Sequence, residues 1–213
     1  TLKKYPFTLS DGELTEKMNK ILDENKGVPE VSERSILKIN TLYPGIRPIA
    51  YRVLTDAKRL IRIPMNITDG IRSLEDQLAC YQKGREKTPN GWVVTDRRKV
   101  VTNAKPGLSF HNYGLAWDAA FAGSDPYLET LPKDSRDALW QCYGSICKMH
   151  GMDWGGNSID LGNGVKDLPH AQLTYGLTIA QLMELWEVGG ISAVWAFLDK
   201  HRGVPVGQDW AQK

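Results

Sequence analysis

The chain has 213 residues, a formal net charge of +2, 41% hydrophobic and 24% charged residues. That length suits one domain with short extensions and is ample for a hydrophobic core, and the composition is that of an ordinary soluble protein. The small net charge excludes a nucleic-acid binder driven by bulk charge, and no apolar run is long enough to span a bilayer, so stable membrane insertion is not expected. Cys80, Cys142 and Cys147 are odd in number and lack framework or knuckle spacing, which points to reduced thiols in a cytoplasmically made chain. No secretory signal pattern is present, although the chain starts at Thr1 without Met.

Ser10 and Glu13 form a capping-box pattern ahead of Leu14, Met18, Ile21 and Leu22, and Gly27-Val28-Pro29 would end that helix. A second helix is predicted from Ser32, with Ile36, Ile39 and Leu42 on one face, and a third from Ile46 to Leu60. Residues 61–67 alternate apolar and other side chains, as in a strand. Ser73 caps a helix with Leu74, Leu78 and Tyr81 facing inward. The polar stretch 84–107 reads as a surface loop or flap.

Residues 114–121 read as a strand with two unlike faces. Leu115, Trp117, Ala119 and Phe121 suit a core, whereas Gly114, Ala116 and Ala120 leave room around Asp118. A helix over 135–149, a short strand at 152–154 and a glycine-containing loop before Asp167 follow. Thr178 and Gln181 form a second capping box, opening a helix through about Phe197. Helices with few strands and no regular βαβ spacing imply an α+β fold.

Two stretches concentrate the chemistry: Ser109-Phe110-His111-Asn112-Tyr113-Gly114-Leu115-Ala116-Trp117-Asp118 and Asp167-Leu168-Pro169-His170. Catalytic zinc takes three protein ligands from His and Asp/Glu and leaves one position to water. His111, Asp118 and His170 supply N, O and N, for one Zn²⁺. Seven residues separate His111 from Asp118, so on one straight strand they would face opposite ways; Gly114 is placed to break the strand between them. Asp167, beside Pro169, is the candidate general base, and Arg72 the candidate stabiliser of a developing oxyanion. For Arg72 the alternative is a surface pair with Glu75 or Asp76; for Asp167 it is a turn or a partner of a metal ligand. His150 and His201 lie near helix ends and read as favourable partners of the helix terminus.

The pattern Ser-x-His-x-x-Gly-x-Ala-x-Asp, with an acid three residues before a second His, resembles the zinc metallopeptidases that include D-alanyl-D-alanine carboxypeptidases and dipeptidases. Within them it is most similar to the L-alanyl-D-glutamate endopeptidases used as bacteriophage endolysins, where the base is commonly Asp. The likeness extends over roughly 31–175 and takes in Gly70-Ile71-Arg72-Ser73 with Gln77, Trp154-Gly155-Gly156 and Pro169-His170-Ala171-Gln172. Ile71 and Ala171 stand where aromatic residues are usual.

The resemblance implies a small antiparallel sheet carrying the zinc site with helices around it, a hedgehog/D-Ala-D-Ala peptidase-like fold. It divides the chain into an N-terminal helical extension (1–30), a catalytic domain (31–177) and a helical tail packed on it (178–213). It assigns zinc to His111, Asp118 and His170, catalysis to Asp167 and Arg72, and substrate binding to Ser109, Gln77 and Trp154, with core packing as the alternative for Trp154. It further implies a monomer acting on peptidoglycan through zinc-bound water, made in a host cytoplasm and released through a holin. A D-alanyl-D-alanine carboxypeptidase is the alternative with the same chemistry, disfavoured by Asp at 167; a zinc-bearing wall-binding module without turnover is disfavoured by Asp167 and Arg72 together.

Overall fold

The computed structural model describes residues 11–24, 31–158 and 166–201. In chain order the elements are α1 (Asp11–Glu24), α2 (Glu33–Ile39), α3 (Arg47–Ile61), β1 (Met65–Asp69), α4 (Leu74–Gln82), β2 (Arg85–Thr88), β3 (Gly91–Val94), β4 (Ala116–Phe121), α5 (Lys133–Met149), β5 (Asp153–Trp154), α6 (Gly155–Ser158), β6 (His170–Gln172) and α7 (Ile179–His201). Ser10, the Gly27-Val28-Pro29 stop, the glycine-containing loop at 159–165 and the end of the tail at 202–213 lie outside the described residues.

An antiparallel sheet in the order β1-β4-β6-β5 forms the centre, and β2-β3 is a separate hairpin. The α+β class expected from the sequence is therefore the observed one. Trp117, Ala119 and Phe121 of β4 enter the core with Ile39, Val53, Leu54, Ile63 and Ile67. Trp140 and Tyr143 of α5 stand edge-on to this group, with ring centroids of 4.9 Å for Phe121–Trp140 and 5.8 Å for Trp140–Tyr143. Edge-to-face contacts of this kind add to the large area that aromatic rings bury.

Local chemistry explains most element ends. The Ser32 and Ser73 side chains accept from Ser35 N and Asp76 N, so both helices start where their caps predict. The capping box at α7 is closed in both directions: Gln181 N donates to Thr178 Oγ1 at 3.3 Å, and Thr178 N to Gln181 Oε1 at 2.9 Å.

Three expectations need correction. The strand predicted for 61–67 begins only at Met65: Ile61 is the last residue of α3, Arg62 caps it in the left-handed region (φ 68°), and Pro64 has no N–H for a ladder. Leu78 of α4 is exposed, and Gln77 takes the inward position. The stretch 84–107 is no plain loop: Pro89-Asn90 turns the β2-β3 hairpin, paired from Arg85↔Val94 to Thr88↔Gly91.

α7 is bent where Gly190 adopts φ 63°, and both parts lie on the body. Leu182, Val194 and Leu198 are buried, and Trp195 Nε1 donates to Tyr113 O at 2.9 Å. Tyr43 Oη donates to Asp199 Oδ1 at 2.8 Å.

Helix α5 meets Trp154 at Gly144, where an added Cβ would lie 2.2 Å from the indole ring. Gly144→Ala is expected to destabilise the fold by about 1–3 kcal/mol through overpacking. Urea denaturation monitored by tryptophan fluorescence reads this directly; an unchanged midpoint would show that the indole has room to retreat.

Candidate metal centre

His111 and Asp118 reach one point because the chain changes form between them. Residues Phe110–Tyr113 make a 3-10 turn, and Gly114 ends it at φ 69°, donating to His111 O at 3.2 Å. Glycine is required twice over: L side chains rarely adopt that φ, and a Cβ would lie 3.0 Å from Tyr43 N. β4 then starts at Ala116 and turns Asp118 to the same side as His111. β6 pairs with β4 in the register Asp118↔His170, which brings the second imidazole across.

The three inward atoms form a nearly equilateral triangle. His111 Nε2 lies 3.2 Å from His170 Nδ1. Asp118 Oδ1 lies 3.3 Å from each. The outer ring nitrogens fix the tautomers. His111 Nδ1 lies 2.8 Å from the Gly70 carbonyl oxygen, which only accepts, so that nitrogen carries the proton. His170 Nε2 likewise donates to Gln172 Oε1 at 2.9 Å. Neutral imidazoles so held turn two lone pairs toward each other and toward a carboxylate.

Three acceptors converging with no donor among them suit a cation. Ligands about 2.0 Å from a tetrahedral ion are separated by roughly 3.3 Å, close to the observed edges. The donor set therefore fits one divalent ion. His111 and His170 are buried, so solvent screens the triangle little. Burial pushes the Asp118 carboxyl up, but positive charge at His111 and His170, whose place a bound cation would take, outweighs it and holds the carboxyl well below the ordinary carboxylate range.

Arg72 lies beside this triangle. Its Nε and Nη2 donate to Asp69 Oδ2, Nη2 also reaches Asp118 Oδ2 at 3.3 Å, and Nη1 donates to Gln77 Oε1 at 3.1 Å. The surface pairing with Glu75 or Asp76 is thus not what is observed. Asp69 sits where the β1-β4 register shifts between Ile67 and Asp69, a bulge that re-aims the strand end toward Asp118.

Asp167 lines the same cavity as Arg72, Ser109, His111, Asp118 and His170. Burial raises its carboxyl above the ordinary value; the positive side of His170 opposes this and the Asp118 charge adds to it. A carboxyl raised in this way is a candidate for proton transfer.

Two residues expected to touch substrate are placed otherwise. Gln77 is fully buried: it accepts from Arg72 and donates through Nε2 to Ala104 O at 2.8 Å, tying the arginine to the cavity wall. Trp154 is buried too, and its Nε1 donates to Leu168 O at 2.7 Å, between Asp167 and His170. Its indole fills the space against Gly144 and Gly156, so packing wins over a substrate platform. Ser109 lines the cavity, though its Oγ also accepts from His111 N at 3.3 Å.

The sequence reading missed Asp69 and the orienting role of Gln172, as well as Tyr127, Asn103 and Ile179 on the cavity wall. Two of these had a signal: Asp69 stands three before Arg72, and Gln172 shares a strand face with His170. Tyr127 and Ile179 come from remote segments with no pattern to reveal them.

His150 and His201 stand apart from the triangle. His150 Nε2 contacts Asp56 Oδ2 at 2.8 Å, and His201 Nδ1 donates to Phe197 O at 2.8 Å.

The geometry predicts one tightly bound divalent ion per chain, removable by chelators. Gln172→Ala, which frees the His170 ring without touching a ligand, is expected to weaken the affinity about 10–100-fold. Competition against a chromogenic chelator measures it; an affinity equal to that of the unaltered chain would exclude an orienting role.

Known proteins bear on this geometry. Residues 102–173 match a family model described as D-alanyl-D-alanine carboxypeptidase. The peptidoglycan L-alanyl-D-glutamate endopeptidase CwlK of Bacillus subtilis (strain 168) is 33% identical over 115 residues, which cover 52% of this chain and 61% of that protein. The chain thus spans less than two thirds of the length of that relative. The crystal structure of Serratia marcescens L-Ala D-Glu endopeptidase ChiX aligns over 71% of this chain and 96% of that one, at 19% identity and a TM-score of 0.42, too distant to carry an argument. The stretch that supplies the triangle and Asp167 lies within the part of the chain that matches this family model.

Proposed function

We propose that the protein is a zinc-dependent peptidoglycan endopeptidase that hydrolyses the L-alanyl-D-glutamate bond of the stem peptide. The observation that carries the reading is the triangle of lone pairs at 3.2–3.3 Å with Asp167 and Arg72 in the same cavity. The choice of bond is supported by the name of the relative CwlK and by Asp at 167.

His111, Asp118 and His170 would hold the ion. Bound there, the ion would supply Lewis-acid polarisation of the scissile carbonyl and would lower the pKa of water to about 7. Asp167 accepts the proton of the water as its oxygen bonds to the carbonyl carbon. Arg72, fixed by Asp69 and Gln77, donates toward the carbonyl oxygen as negative charge grows there. The C–N bond then breaks and Asp167 returns the proton to the leaving amine, so the alanine gains a carboxylate and the glutamate a free amine.

Asp167→Asn keeps the shape and removes the base. It is expected to lower kcat by about 10²–10⁴ with metal content unchanged. Arg72→Ala is expected to cost about 10²–10³ in kcat. Both are measured on purified peptidoglycan, with fragments identified by mass spectrometry. New amino termini on glutamate support the reading. Release of free D-alanine instead would establish the carboxypeptidase, which the description of the matching family favours, and binding without any cleavage would leave a wall-binding module.

An endolysin role, with a monomer released through a holin, is the further part of this proposal and is supported by the family resemblance. Expression inside a bacterial host is expected to be harmless until the inner membrane is permeabilised, whereupon turbidity falls. Lysis without permeabilisation would contradict it.

A further inference from the structure

The charge of the chain is unevenly distributed. Between residues 83 and 105 seven Lys or Arg stand against Glu86 and Asp96, a net +5 in a chain of net +2. The remaining residues therefore sum to −3. Arg98 and Lys99 pair with Asp96. Lys83, Lys87, Arg97 and Lys105 are exposed and make no ion pair among the described residues.

This segment contains the β2-β3 hairpin and ends in the cavity wall. Arg85 joins the two: its guanidinium lies 4.2 Å over the Tyr81 ring and donates to Tyr81 O, Thr102 O and Asn103 Oδ1. Thr102 and Asn103 line the cavity. The register Arg85↔Val94 and Lys87↔Trp92 puts Arg85, Lys87 and Trp92 on one hairpin face. That face therefore continues outward from the cavity wall as a half-buried indole beside an exposed ammonium, with Val94 exposed as well. An aromatic plane with adjacent cations suits a polymer of rings that carries carboxylates.

We propose that the β2-β3 hairpin is a docking arm for the carboxylate-bearing glycopeptide strand of the wall outside the scissile bond. The proposal rests on the peptidoglycan reading above. The hairpin holds the polymer by charge and by the Trp92 face, so intact wall is favoured over isolated stem peptides through retention on the polymer. The catalytic groups are not involved.

The test uses the full chain and a Lys87→Glu/Trp92→Ala/Arg97→Glu variant, with thermal melting to verify folding. The variant is expected to co-sediment with purified peptidoglycan about tenfold less than the unaltered chain at low salt. The difference should shrink as salt screens the charges. Hydrolysis of intact wall should fall in parallel, while kcat/KM on a short soluble stem peptide stays the same. Equal sedimentation overturns the proposal. So does an equal loss on the soluble peptide, which would place the hairpin within the active centre. A difference that vanishes on walls stripped of phosphodiester polymer overturns it in favour of a phosphate ligand. Should the variant fail to fold, soluble polyglutamate added to the unaltered chain must still displace it from wall. Absence of cleavage on both substrates would defeat the peptidase reading alone, because sedimentation needs no turnover.

Discussion

Two imidazole lone pairs and a carboxylate oxygen meet within 3.3 Å of one another, in a place that water reaches little. Without a positive charge such a grouping is costly, because acceptors repel and none supplies a proton to the others. Everything around it is arranged to hold it regardless. The Gly70 carbonyl and Gln172 settle the ring tautomers, and Arg72 occupies the outer oxygen of Asp118.

Those partners are themselves supported from the core. Gln77 and Asp69 hold Arg72 from two sides, and each belongs to a different element, α4 and β1. The Asp167–His170 segment is anchored by Trp154 at Leu168 O and by Ala119 N and Tyr143 Oη at Pro169 O. Trp195 of α7 holds the carbonyl of Tyr113, at the end of the turn that carries His111. The tail thus bears on the site mechanically, and it reaches the cavity wall through Ile179 at the start of α7. Core packing and site geometry are one problem here, since groups that must stay within a fraction of an ångström need rigid neighbours.

Residue chemistry was legible where it is local. Ser32, Ser73 and Thr178 act on backbone groups three residues away, so their helices start as predicted. Gly114 was recognisable because an odd His–Asp separation demands a break. The alternation over 114–121 separated a core face from a site face. Legibility failed where another local rule or a distant partner prevailed. The alternation over 61–67 was real, but the α3 cap at Arg62 and the missing N–H of Pro64 delayed the strand. Turn formers stood at Pro89-Asn90, where the hairpin turns, but the polarity around them outweighed that signal. Gln77 and Trp154 were associated with the site, but burial made them supports for Arg72 and for the Asp167–His170 segment.

The sequence by itself determined which groups are available for the proposed chemistry: His111, Asp118 and His170 as candidate ligands, with Asp167 and Arg72 as charged groups beside them. It also determined that the chain must bend at Gly114, because steric limits on φ act within one residue. Only the tertiary structure decided the register Asp118↔His170, the arrangement that makes Asp69 and Gln77 the hands on Arg72, and the cavity wall shared by Tyr127 and Ile179. The reason is physical: strand register and cavity walls are set by packing between segments far apart in the chain, where no local spacing carries the information.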